Sequence, residues 1–329
     1  MTLSAAVNVL RWLIVDTLWQ SLASRIFWVM LAVSGIAILF CLGVGVTGAR
    51  LEHDPGQRTE ILHKDMPSDL EQAKRSGVNV IEGNVSLGFG MVHIQHARDF
   101  QDSVRFLQVV LSGVVAGTIG ILLTLIWTAG FLPSFLEPNA ASILLTKPVP
   151  RWTLLLGKFL GMVAFVGMQA TIFVGGTWLV LGLRTGVWNE TYLLSIPLLT
   201  LQFAFFYSFS MFLAVATRST IVCMVGSVLF WMLCSAINAG RIELMLQPDA
   251  PAWLRWPIEA AYWVLPKPID FNLIMNQALT ANQYFAPWPA AQAIEAQGRF
   301  TPEWAILTSL LFGVGMILIS AFDVRKVDY

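Results

Sequence analysis

The sequence predicts an all-α polytopic membrane protein: six transmembrane helices, an N-terminal interfacial amphipathic helix and two large extracytoplasmic loops. Three observations lead there. Hydrophobic residues make up 56% of the 329 residues and charged ones only 12%, against about 25% charged in a soluble globular chain. There are too few charges to cover a solvated surface. The apolar residues gather into long runs, and the charges lie between them, because a charge at mid-bilayer is costly. Finally, 20 Lys and Arg balance 20 Asp and Glu, so no basic field invites a nucleic acid. Apolar content this high also excludes a disordered chain.

Residues 1–25 are expected to form a cytoplasmic interfacial helix. Ser4, Asn8, Arg11, Gln20 and Ser24 fall near one helical face, and Val7, Leu10, Ile14, Leu18 and Leu22 fill the other. Trp12 and Trp19 stand at the margin, a pattern that suits a helix lying in the membrane interface. Arg11 and Asp16 argue against deep insertion. The spans follow as Ile26–Val46, Phe106–Phe131, Phe159–Leu183, Tyr192–Ala216, Thr220–Ala239 and Trp304–Phe322. Each is close to the roughly 20 apolar residues that cross a bilayer. Pro197 and the Gly175–Gly176 pair lie inside spans, where membrane helices tolerate them.

Orientation follows from Lys and Arg in the short segments. Arg11, Arg25, Lys147, Arg151, Lys158, Arg218, Arg325 and Lys326 share the face of both termini, while the short connection on the other face carries Arg184 alone. Both termini, residues 323–329 included, are therefore expected in the cytoplasm, with the protein in the cell (plasma or inner) membrane. Segment 132–158 is then cytoplasmic, and the long connections 47–105 and 240–303 face outward. In the first, Ser68-Asp69-Leu70-Glu71 reads as a capping box opening a short helix that Gly77 ends. The second is rich in Trp and Pro, including Trp253, Trp256, Trp263 and Trp288. Aromatics at this density suit the headgroup layer, where short helices would lie on the membrane.

Several motifs lose force in context. Gly43-Val44-Gly45-Val46-Thr47-Gly48 has glycine-fingerprint spacing, but a dinucleotide site needs a strand before it and a helix after it. His93 and His96, at i and i+3, are the candidate metal ligands; no carboxylate or thiolate supports them, so no metal is expected. Cys41, Cys223 and Cys234 lie in apolar runs, where a thiol acts as a small hydrophobe. Gly113-x-x-x-Gly117, Gly157-x-x-x-Gly161 and Gly182-x-x-x-Gly186 are spacings that let membrane helices approach closely. Gln108, Gln169, Gln202 and Asn238 are uncharged polar residues within spans: either helix-to-helix glue or the lining of a polar pathway. No G-x-S-x-G, H-E-x-x-H or intramembrane acidic pair is present. There is no Walker A motif, because Gly157-Lys158 is followed by Phe159 and no glycine stands five residues before it. The chain is expected not to be an enzyme and to bind no cofactor itself.

The segment before the third span is the most informative. Glu137-Pro138 opens a stretch with room for two helical turns, Pro148 and Pro150 stop helix, and Arg151 and Lys158 flank the membrane boundary. This is a charged elbow that another protein could push, or a re-entrant turn with positive anchors. Its sequence, SILLTKPVPRWTLLLGKFLG, resembles the signature of ABC-2-type transporter permease subunits, and is most similar to the branch of multi-copper-enzyme maturation permeases serving nitrous-oxide reductase. The resemblance implies that Glu137, Pro138, Lys147, Pro148, Pro150, Arg151, Gly157 and Lys158 touch a separate ABC ATP-binding subunit. ATP and Mg would sit on that subunit. It also implies that the helix carrying Arg11, Trp12, Asp16 and Trp19 helps receive that subunit, and that two permease chains pair, as a homodimer. The long outer loops leave room for an extracytoplasmic partner. That opens a second expectation, a non-transporting mechanotransmitter that relays ATPase motion outward.

Overall fold

The computed structural model describes residues 3–48, 83–87, 92–96, 100–131, 133, 151–247, 251–279 and 300–326. Helix α1 (Leu3–Ala23) and helix α2 (Arg25–Leu42) meet at Ser24. Ser24 has an extended backbone, and its hydroxyl accepts from the Phe27 amide, capping α2. The straight stretches on either side, Asn8–Ala23 and Phe27–Leu42, are bent by 70°. A capping serine therefore breaks what composition alone would allow to be one long helix.

After α2 comes a small antiparallel sheet: β1 (Gly45–Gly48), β2 (Gly83–Leu87) and β3 (Val92–His96), in that order. Val46 pairs with Val85, and Val85 with Ile94. The alternation Val-His-Ile-Gln-His in β3 is the period of a strand. The sheet corrects the all-α expectation: the chain is nearly all-helical, with one three-stranded sheet among the described residues. It also corrects the reading of the first span, which ends at Leu42 rather than Val46 because Gly45 opens β1. The helix expected from Ser68 to Gly77 lies outside the described residues.

Five helical stretches are long and apolar enough to cross a membrane, and the bent α1–α2 pair makes up to six. The second span is built of α3 (Phe100–Val109), a π-helical segment (Val110–Gly120) and α4 (Ile121–Thr128). Helix α5 (Arg151–Thr185) runs 35 residues, about 52 Å at 1.5 Å per residue, well beyond the roughly 30 Å of hydrocarbon. A short 3₁₀ turn (Glu190–Leu194) leads into α6 (Ser195–Thr217), then α7 (Thr220–Leu246). Helices α8 (Ala252–Val264) and α9 (Pro268–Ala278) precede the last span, α10 (Pro302–Lys326). The core lies around α5 and α6, where Phe159 stacks on Tyr207 and Phe203 stacks on the same ring.

Helix α7 continues seven residues past Ala239, α8 packs against its end, and α9 packs against α7, α6 and the second span. Arg241, five residues before the end of α7, meets Glu259 and Tyr262 of α8. Asn238, one turn (about 4.5 Å) further from that end, holds the first turn of α9. Its Oδ1 accepts from the Ile269 and Asp270 amides, and its Nδ2 donates to Asp270 Oδ1 at 2.9 Å. Phe271 then packs edge-on against Phe205, midway along α6, and Asn272 reaches Gly117, midway along the second span.

Burial forces this geometry. The amides at an α-helix N-terminus have no partner in their own helix, and here one asparagine side chain supplies it. Asn238→Leu is expected to lower stability by about 3 kcal/mol, since buried donors left unpaired cost roughly 1–3 kcal/mol each. Thermal unfolding of the detergent-purified protein checks this; an unchanged midpoint contradicts the assignment.

Candidate functional site

The junction of α1 with the N-terminal half of α5 follows directly after segment 132–150. The residues facing α5 are not the most apolar ones of α1. Leu13, Thr17 and Ser21, spaced four apart, are buried, while Trp12, Val15 and Trp19 are exposed, Trp19 to 69%. Glycine explains the choice. A Cβ on Gly157 would lie 2.7 Å from Leu13 Cβ, and one on Gly161 would lie 2.5 Å from Thr17 Cβ. The two glycines form a trough in α5 that takes α1 at a distance no other residue permits. The face expected to carry Val7, Leu10, Ile14, Leu18 and Leu22 to the membrane is thus partly turned toward protein, with Leu10, Ile14 and Leu18 half-buried. Beside the trough, Lys158 Nζ donates to Gln20 Oε1 at 2.8 Å and approaches Asp16 Oδ2 at 3.3 Å.

The structure therefore joins two sets of residues that the sequence kept apart, the proposed coupling residues Gly157 and Lys158 and the N-terminal helix through Asp16. Arg151 is the first residue of α5; Arg11, Trp12 and Trp19 lie on the exposed side of α1. Glu137, Pro138, Lys147, Pro148 and Pro150 lie outside the described residues.

The polar span residues do not come together as a pathway; each ties a different pair of elements. Gln108 Oε1 accepts from Asn189 at 3.0 Å, Gln169 donates to Ser34 at 2.9 Å, Gln202 donates to the Gly117 carbonyl at 3.4 Å, and Asn238 holds Asp270. All four are buried. Two glycine pairs act as seats of different kinds. Gly113 and Gly117 face Asn272 of α9, whereas Gly182 receives the Trp188 ring and Gly186, at φ 73°, ends α5. The last pair shapes a turn, not a helix crossing. His93 and His96 sit on strand β3, so the helix that would bring residues three apart onto one face is not formed.

Sequence reasoning missed a partly buried charged cluster where α8 and α9 meet α7 and α10. The Arg241 guanidinium grips Glu259 through bonds of 2.9 and 3.2 Å and lies 3.7 Å over the Tyr262 ring. The Trp263 indole N–H donates to the same carboxylate at 2.8 Å, and the Tyr262 hydroxyl to Asp270 Oδ2 at 2.6 Å. Lys267, 1% exposed, donates to the Leu265 carbonyl and to the Thr308 hydroxyl, 4.6 Å from the Tyr262 centroid. Burial pulls its ammonium down to about 8, with Asp270 opposing. Burial also pushes the Asp270 carboxyl up, against the hydrogen bonds from Tyr262 and Asn238. At Glu259 partial burial acts upward, yet the Arg241 and Trp263 bonds outweigh it and hold the carboxyl low. Two cations and two anions so arranged join four helices, and at buried Lys267 and Asp270 the loss of a partner strands a charge. The available signal was Lys267-Pro268-x-Asp270: a proline at the first helical position and an acid in the first turn mark a helix start.

A family model described as ABC-2 family transporter protein matches residues 18–320. No curated protein matches the chain.

Gly161→Leu is expected to lift α1 from α5 and raise tryptic cleavage after Arg25 several-fold. Lys158→Met removes only a partly exposed ion pair, worth about 1 kcal/mol or less, and is expected to leave cleavage unchanged. Limited proteolysis in native membranes compares the two; equal effects contradict the glycine trough.

Proposed function

The chain belongs to the ABC-2 family of transporter proteins, and from that premise we propose that it is the permease of an ATP-driven transporter whose hydrolysing subunit is a separate chain. The observation that carries this reading is the α1–α5 junction. Segment 132–150, which resembles the family's coupling element, leads straight into Arg151 and the glycine trough at Gly157 and Gly161. A push on that segment would reach α1 and α5 together, and through α5 the long axis on which α2 and α6 also pack. Closure of the ATPase would shift the population between two arrangements of the spans. Glu137, Pro138, Lys147, Pro148, Pro150 and Arg151 meet the ATPase in this reading, with ATP and Mg held there and no catalysis on this chain. Helix α1 lies in the cytoplasmic interface, Trp12 and Trp19 toward lipid. The length of α5 in excess of the hydrocarbon supports that placement.

Both termini are then cytoplasmic, the membrane is the plasma or inner membrane, and two copies pair. The apolar exposed stripe Ile221, Val225, Leu229 and Leu233 on α7 offers surface for lipid or for the second copy. The branch serving copper-enzyme maturation fits the motif between Ser142 and Gly161. A relay to an outer partner is the second reading, favoured by the folded sheet β1–β3 on the first long connection.

Co-purification with an ABC ATPase is the test. Glu137→Ala and Arg151→Ala are expected to abolish stimulation of that ATPase, more than tenfold, with the complex still assembled. Unchanged stimulation, or ATP hydrolysis by the isolated chain, sinks the proposal. Excising 50–100 separates the readings: a transporter keeps ATP-coupled transport, whereas a relay loses its outer partner.

A further inference from the structure

Helix α8 is anchored through few side chains. Of its 13 residues only Tyr262 is buried, and Glu259 adds the ion pair with Arg241. The Tyr262 ring carries Arg241 at 3.7 Å and Lys267 at 4.6 Å, and its hydroxyl donates to Asp270 at 2.6 Å. Lys267 in turn donates to the Thr308 hydroxyl on α10. One amine therefore stands where α8, α9 and α10 meet.

Its charge is poorly placed there. Lys267 is 1% exposed and occupies the cap position before Pro268, at the positive end of the α9 dipole. It shares an aromatic ring with a second cation, and among the described residues it forms no ion pair with a carboxylate. The groups facing it are Arg241 and the Cys234 thiol from α7, Tyr262 from α8, Asp270 from its own helix and Thr308 from α10. Asp270 offsets part of the cost, but its two oxygens are engaged by Asn238 and Tyr262.

We propose that Lys267 makes the junction of α8 and α9 with α7 and α10 a proton-operated latch, closed over the uncharged amine and loosened when the amine takes up a proton. The direction follows from linkage. In water the amine keeps its proton up to the ordinary 10.5, whereas burial in the junction pulls it down to about 8. Between those values the open form holds the extra proton, so rising pH favours closure. That advantage is lost as pH falls through about 8. Asp270 acts oppositely in acid: burial raises its carboxyl, so a proton bound there favours the closed form. The junction is loosest between the two, where both groups are charged. The latch belongs to the single chain and does not rest on the permease reading, since neither ATP nor a partner enters it.

The experiment is hydrogen–deuterium exchange of the full chain in nanodiscs. Quench-flow labelling covers about pH 7 to about pH 9.5, with each amide's chemical exchange rate divided out. The Ile269 and Asp270 amides report the junction directly, because Asn238 Oδ1 accepts from both. Their protection is expected to rise at least tenfold across that range. Lys267→Met is expected to show the high protection already at the lower pH, with no further rise. Lys267→Arg, charged throughout, is expected to stay at the low protection. Thr308→Val keeps the amine but removes its acceptor, and is expected to move the rise to lower pH. Should Lys267→Arg fail to purify, the other two variants decide. Protection that is flat or falls with pH in the unsubstituted chain overturns the proposal, as does a rise that persists in Lys267→Met. Protection lost at every pH in Lys267→Met marks a merely structural lysine and overturns it too.

Discussion

A polar group within a bilayer is costly unless it finds a partner inside the protein, and several of the helix contacts in this chain meet that cost. Asn238 satisfies a carboxylate and two amides that would otherwise be stranded, and so fixes where α9 begins. Gln108 and Asn189 close the distance between the second span and the turn after α5. The cluster of Arg241, Glu259, Lys267 and Asp270 obeys the same rule with full charges, each cation against an anion or an aromatic face.

The second constraint is steric. Helix α5 is the axis on which α1, α2 and α6 pack, and its glycines decide how closely. Gly157 and Gly161 admit α1, and Gly176 admits Ile38 of α2.

The π-helical segment stands between two differently built sides. Toward α6 and α9, Gly117 meets the amides of Gln202 and Asn272; toward α2 and α5 lies an apolar groove. Extra-wide turns of this kind are usually short and often mark functional places. Here the widened backbone, with Gly113, Gly117 and Gly120 in it, lets one span present a polar seat and an apolar wall within eleven residues.

The sequence by itself determined that the chain is a membrane protein and roughly where its spans run. Hydrophobicity and charge are summed locally, so these features can be read without knowing any contact. It also separated Asp16 from Lys158 and left Lys267 and Asp270 unnoticed. Only the tertiary structure decided those, because each depends on what stands opposite a residue. Leu13 and Thr17 face protein where more apolar neighbours do not, since the glycines that admit them lie 144 positions further along the chain. Lys267 can be buried because Asp270, Thr308 and the Tyr262 ring are brought to it by three different helices.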